Sequence, residues 1–251
     1  MILGIVQART GSTRLPGKVL MDLCGAPMLL RQLQRLDHCS TLDALVVATS
    51  DLARDDPLAG LLEAEGRDVF RGSEADVLDR YYRCAAARGA DVVVRITGDC
   101  PLICPEVVDA VANAYLADGA CDYASNIEPE TYPDGLDTEV FPFRILELMW
   151  REATGDEREH VTPYVRLRPE VFRHCLVSHD PDLSWMRWTV DEPRDLEFVR
   201  RVYTCLHREG EVFGLEAILA LLRKKPELLT VNQGVVRDVA LKRLRAKGAG
   251  Q

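Results

Sequence analysis

The sequence predicts an α/β protein, a three-layer αβα sandwich around a mainly parallel twisted sheet, and three observations predict it. Short, β-branched apolar runs recur through the first half. Stretches with helical patterning fill the intervals, several opened by Pro and closed by Gly. The strands return every ~25 to 45 residues, a spacing that suits crossover helices and not hairpins.

In chain order, residues 1–6 (MILGIV), 42–49 (LDALVVAT), 68–70 (DVF) and 91–97 (DVVVRIT) read as strands, each too short for a good helix. Residues 27–36 (PMLLRQLQRL), 57–66 (PLAGLLEAEG), 75–90 (ADVLDRYYRCAAARGA) and 105–119 (PEVVDAVANAYLADG) read as helices. Beyond Cys121 the alternation blurs. Residues 132–141 (YPDGLDTEVF) are turn-rich, 143–153 and 157–168 look helical, 172–177 (FRHCLV) and 185–190 (WMRWTV) look like strands, and 192–210 and 214–225 return to helix. One nucleotide-binding-type domain over residues 1–251 is expected, with a lobe at 131–168 over the sheet edge and a solvated basic tail at 240–251.

Composition narrows the function classes. At 251 residues and 47% hydrophobic the chain can bury a full core. Its net charge of -9 argues against a general nucleic-acid surface. It opens directly on a strand, with no apolar run long enough to span a bilayer, so a cytoplasmic protein without a membrane partner is expected. The eight cysteines lack the spacing of a disulfide framework, and the close pair, Cys100 and Cys104, has no second pair to complete a zinc site; they read as reduced core thiols.

Against that acidic balance, ARTGSTRLPGK (8–18) gathers Arg9, Arg14 and Lys18 beside Gly11 and Gly17, directly after the first strand. Open parallel sheets bind ligands beyond the carboxyl ends of their strands, and glycines there let the backbone approach a polyphosphate that the cations neutralise. The loop is not a P-loop: five residues separate its glycines, and Val19 follows Lys18. The dinucleotide fingerprint is absent too. Asp99, in RITGDCPL, and Asp191, in WTVDEPRDLE, each follow an apolar run. Each could merely cap the next helix, but two carboxylates at one sheet edge also suit Mg²⁺, which shares its shell with phosphates.

Six segments in order, VQARTGSTRLPGKVL, VFRGSEADVLDRY, VVRITGDCPLI, YPDGLDTEVF, EREHVTPYV and RWTVDEPRDLE, carry a resemblance. The chain resembles the cytidylyltransferase family of CMP-KDO and CMP-sialic acid synthetases, most closely the branch of spore coat polysaccharide biosynthesis protein F (SpsF). The resemblance implies a CTP-binding domain, Mg²⁺ dependence, transfer of CMP to a sugar-like acceptor, and a homodimer. It places the phosphate loop at Ala8, Arg9, Gly11, Ser12, Arg14 and Lys18, and the metal ligands at Asp99 and Asp191. Arg71, Gly72, Ser73 and Asp79 fall where the family lies against base and ribose, and Thr97 stands where the synthetases commonly carry Gln. Arg14, Lys18, Asp99 and Asp191 are the expected catalytic set. Acceptor recognition is expected from Asp137, Glu139, Arg158 and His160, which otherwise read as a turn and ordinary helix salt bridges. Arg187, between two tryptophans, could reach phosphate or stack on the rings. A glycosyltransferase using a nucleotide-sugar donor, or a nucleotide-binding protein without turnover, would share much of this pattern.

Overall fold

The computed structural model describes residues 1–234. The basic tail expected at 240–251 lies outside the described residues. Seven strands form one sheet: β1 (Ile2–Gln7), β2 (Ala44–Ser50), β3 (Asp68–Gly72), β4 (Val92–Thr97), β5 (Tyr123–Ser125), β6 (Glu139–Pro142) and β7 (His174–Leu176), in the order β3-β2-β1-β4-β6-β5-β7. β1 pairs in parallel with β2 and β4, β2 with β3, and β5 with β7; β6 alone runs against its neighbours β4 and β5.

The four strands expected in the first half form where their apolar runs lie. Between them run α1 (Met28–Leu36), α2 (Asp56–Ala64) and α3 (Val77–Ala87), and α4 (Pro105–Ala117) follows β4. Side chains alternate across the pleat. Val6, Val47, Val94 and Ile96 enter one core with α1, α2, α4, α8 (Pro193–Leu206) and α9 (Leu215–Lys224). Leu3, Ile5, Val46 and Val93 enter a second core with α3, α5 (Phe143–Glu152) and residues of α7 (Pro163–Arg166). Helices therefore cover both faces, which is what buried parallel strands require.

The second half departs from expectation in four places, the first being β5, which forms where no strand was expected. β6 emerges from a segment whose Pro, Asp and Gly content reads as turn; its four residues are buried on both faces between β4 and β5, so it shows no alternation. Residues 157–168 are not one helix. α6 (Asp156–His160) stops at Val161, whose φ is 72°, and α7 starts afresh at Pro163, which has no N–H to continue the helix and disfavours the α region before it. Residues 185–190, expected as a strand, join no ladder. Their donors go to two loops: Trp188 and Thr189 N–H to the Asp134 carbonyl at 2.6 and 2.9 Å, and Val190 N–H to the Asp99 carbonyl at 2.8 Å. The apolar alternation is real, with Trp188 fully buried, but it reports an extended segment bridging two loops.

Gly135 makes that bridge possible. Its φ is +113°, and a Cβ would lie 2.5 Å from the Thr189 nitrogen and 2.7 Å from the Trp188 carbonyl carbon, both backbone atoms that cannot yield. Gly135→Ala is therefore expected to destabilise the protein by about 2 to 4 kcal/mol in urea unfolding.

Candidate active site

The basic loop is built before it binds anything. It leaves the end of β1 and is pinned by Asp55, a fully buried carboxylate that accepts from Thr10 N–H at 2.7 Å and Thr10 Oγ1 at 2.6 Å and from the Ser50 hydroxyl. Gly17 N–H returns to the Thr10 carbonyl at 2.9 Å, closing the loop before a 3₁₀ turn at Lys18–Leu20. At the end of β4, a Cβ on Gly98 would lie 2.8 Å from Ala8 Cβ and 2.9 Å from the Gln7 carbonyl oxygen. Only glycine lets the two strand ends meet so closely.

Ala8, Arg9, Gly11, Ser12, Arg14, Lys18, Thr97, Asp99 and Asp191 all line one cleft of about 260 Å³ at this edge. Its centre is Lys18, 7% exposed. The ammonium donates to Asp99 Oδ2 at 3.0 Å, Asp191 Oδ1 at 3.0 Å and the Val190 carbonyl at 2.7 Å. Arg14 reaches Asp191 Oδ1 at 2.9 Å from the solvent side. Neither aspartate caps a helix: Cys104 precedes α4 without a side-chain cap, and the capping box of α8 is made by Glu192 and Asp195. Burial alone would lower the Lys18 pKa, but the two carboxylates outweigh it and hold the pKa above the usual lysine value. Burial would likewise raise that of Asp99; the Lys18 charge and hydrogen bonds from Thr97 and Lys18 override it and bring it to about 2.

Behind Asp191 lies a second tier, in which Arg187 meets Asp195 and Asn232, two residues that the sequence did not single out. Arg187 neither stacks on its flanking tryptophans nor lines the cleft. It donates to Asp134 Oδ2 at 2.7 Å, Asp191 Oδ2 at 2.7 Å and Asp195 Oδ1 at 3.1 Å. Asp195, fully buried, accepts from the backbone N–H groups of Asp191 and Glu192, each at 3.0 Å. Asn232 Nδ2 ties the Arg187 carbonyl at 2.9 Å to Asp195 Oδ1 at 3.1 Å. Asp191 thus has one oxygen fixed from behind, and the other faces the cleft. The Asp at the third helical position of α8 was the available signal.

The remaining residues named from sequence lie elsewhere. Arg71 pairs with Asp56 at 2.6 Å and donates to the Ser50 and Leu52 carbonyls. The Ser73 hydroxyl accepts from Asp76 N–H, and the Ser73 carbonyl from the nearly buried Arg80. Asp79 accepts from Trp150 Nε1 at 2.9 Å, joining α3 to α5. Arg9 reaches Glu74 at 3.4 Å, which brings residues 71–74 beside the basic loop. Glu139, 1% exposed, is paired with Arg95 and accepts from the Tyr123 hydroxyl. Arg158 binds Asp76 at 2.8 Å and the Trp150 carbonyl at 2.7 Å, and His160 is half-buried in α6. The charge of Asp137 reaches Cys100, close behind Asp99; burial is the main cause that holds the Cys100 thiol well above its usual range. All eight cysteines are free thiols.

Two hard carboxylates that face one cation position, in a cleft lined with cations, fit a divalent ion that takes its other ligands from water and phosphate. Among the described residues no group of three or more His, Cys, Asp or Glu side chains could enclose a metal.

Two outcomes follow. The depressed Asp99 pKa contributes stability that is complete above the unfolded value near ~4 and is lost as pH falls through about 2. Acid titration of unfolding free energy is expected to show wild type losing about 2 kcal/mol more over this window than Asp99→Asn. Arg187→Met, which removes the guanidinium shared by Asp134, Asp191 and Asp195, is expected to cost about 3 to 5 kcal/mol in the same assay.

Comparisons with known proteins identify the family and the fold. The cytidylyltransferase family profile matches residues 3–234. Spore coat polysaccharide biosynthesis protein SpsF of Bacillus subtilis is 35% identical over 241 residues, covering 92% of this chain and 98% of SpsF. The structure of a cytidylyltransferase from Leptospira borgpetersenii superposes with a TM-score of 0.88 at 30% identity, over 94% of this chain and 99% of that one. A CMP-2-keto-3-deoxy-manno-octonic acid synthetase complexed with CTP shares the fold, with a TM-score of 0.62 at 21% identity over 81% and 98% of the two chains. With the match running from the first strand to the end of the described chain, this protein is an enzyme of the cytidylyltransferase family.

Proposed function

We propose that the protein transfers CMP from CTP to a sugar-like acceptor, in the narrowest reading a keto-deoxy sugar acid, with release of pyrophosphate, and that it serves cell-surface or coat polysaccharide synthesis. The observation that carries this reading is the convergence of Asp99 and Asp191 on one cation position beneath the basic loop. The acceptor class and pathway rest on similarity to SpsF and on the fold shared with the CTP-bound synthetase.

Asp99 and Asp191 would hold Mg²⁺, which supplies positive charge to the phosphate oxygens of the nucleotide. Arg9 and Arg14, the more exposed cations, exchange Glu74 and Asp191 for phosphate oxygens when the triphosphate enters. Ser12 and the loop backbone around Gly11 give it hydrogen-bond donors. An acceptor hydroxyl attacks the α-phosphorus in line and gives up its proton to solvent: the new P–O bond forms as the bond to the β-phosphate bridge breaks. The electron pair leaves on pyrophosphate, where the loop cations stabilise it. Residues 71–79, beside the basic loop through Glu74 but outside the cleft lining, are the candidate neighbours of base and ribose, and Thr97 lines the cleft itself. The stretch 131–168, although its β6 belongs to the central sheet and its α5 to the layer that covers it, is the candidate acceptor region and subunit contact. Within it Asp137, Arg158 and His160 address the acceptor, while Glu139 and the neighbouring Arg187 act through the groups they hold.

Thermal unfolding with CTP, UTP, GTP or ATP tests the nucleotide half. At a hundred times its dissociation constant, CTP with Mg²⁺ is expected to add about 2.7 kcal/mol, a shift of a few degrees, and the other nucleotides less. A larger shift with another nucleotide overturns the base assignment. With acceptor present, pyrophosphate must appear; a nucleoside diphosphate would instead mark a glycosyltransferase. Asp99→Asn and Lys18→Ala are each expected to lower turnover by about 10² to 10³.

A further inference from the structure

On the α1 and α8 side of the molecule lies a second cavity, of about 250 Å³, that shares no residue with the cleft. Arg31 and Arg35, one turn apart on α1, form its wall, and they are only 7% and 3% exposed. Their partners are neutral. Arg31 donates to the Leu23 and Cys24 carbonyls and to Gln34 Oε1 at 3.0 Å. Arg35 donates to the Ile103 carbonyl at 2.6 Å and the Phe213 carbonyl at 2.7 Å, and its guanidinium lies 4.3 Å over the Phe213 ring. Among the described residues neither forms an ion pair; every hydrogen-bond partner named for them is a carbonyl, an amide oxygen or a thiol.

Two buried cations without a counter-charge are costly, and in a chain with a net charge of -9 they are not a product of general basicity. His38 and His207 add two imidazoles to the same wall. The acids nearby do not compensate. Asp37 is held by Arg67 through both oxygens, at 2.7 and 2.8 Å. Glu209 and Glu211 are exposed at the rim, Glu209 with 87% of its side chain in solvent. We infer that this cavity binds the phosphate group of a small molecule, with Arg31 and Arg35 as its counter-cations. A dianion matches two guanidiniums where a single carboxylate does not, and paired arginines suit tetrahedral oxyanions. The site backs onto the loop that carries Asp99, since Arg35 holds the Ile103 carbonyl and the Tyr203 hydroxyl holds that of Pro101 at 2.8 Å.

The test is an NMR titration of the full chain with inorganic phosphate, at constant pH and ionic strength against chloride, reading the His38 and His207 ring resonances. No histidine lines the catalytic cleft, so phosphate bound there leaves these signals in place. Saturable shifts of both rings are expected. Gln34→Glu puts a carboxylate on Arg31 at an exposed position without loss of volume, and is expected to weaken phosphate binding about tenfold or more. A parallel titration with glycerol 3-phosphate separates the sources: tighter binding than inorganic phosphate marks a phosphomonoester site, equal binding a free-phosphate site. Flat or linear responses to both, or shifts that Gln34→Glu leaves unchanged, would overturn the proposal.

Discussion

One ammonium group organises the catalytic edge. Lys18 joins three parts of the chain that are otherwise unconnected in sequence: the loop after β1, the loop after β4 and the approach to α8. Each of the two carboxylates would repel the other at this distance without a cation between them. The lysine can be buried only because both are present, and they can be adjacent only because it is. This mutual dependence makes the cleft a single electrostatic unit and not three loops that happen to be close.

The unit is supported from outside by charges that never meet a ligand. Arg187 and Asp195 take up the rear oxygen and the backbone of Asp191, so the forward oxygen has a fixed direction before any ion arrives. Charged groups so deeply buried add little net stability as a pair, because desolvation offsets attraction. Their value is directional: a carboxylate whose torsion is fixed loses less entropy on binding. The same logic places Asp55 beneath the basic loop, where it spends its lone pairs on Thr10 and Ser50.

The first half of the fold was legible because it follows local rules. Apolar runs of the right length, with Pro and Gly at the helix ends, placed β1 to β4 and α1 to α4 closely. The second half follows long-range rules. β6 is a strand because β4 and β5 flank it, not because of its composition, and residues 185–190 keep the alternation of a strand while bonding to loops at 99 and 134. At the site, sequence pointed to residues at strand ends, and the residues from the basic loop, Thr97, Asp99 and Asp191 meet in one cleft. It could not show that Arg187 and Glu139 are committed to interior carboxylate and arginine partners. Two of these partners, Asp134 for Arg187 and Arg95 for Glu139, lie 53 and 44 positions away, beyond the reach of any local pattern.

Asn232, almost the last described residue, has a consequence for the order in which the enzyme comes into being. Its amide clasps Arg187 and Asp195, so the support behind Asp191 is complete only once residue 232 has been added, 41 residues after the carboxylate itself. The β1 loop and Asp99 emerge long before. A variant without the Asn232 amide could pair β1 to β4 as before and would still lack the clasp that holds Arg187 to Asp195 behind the second carboxylate.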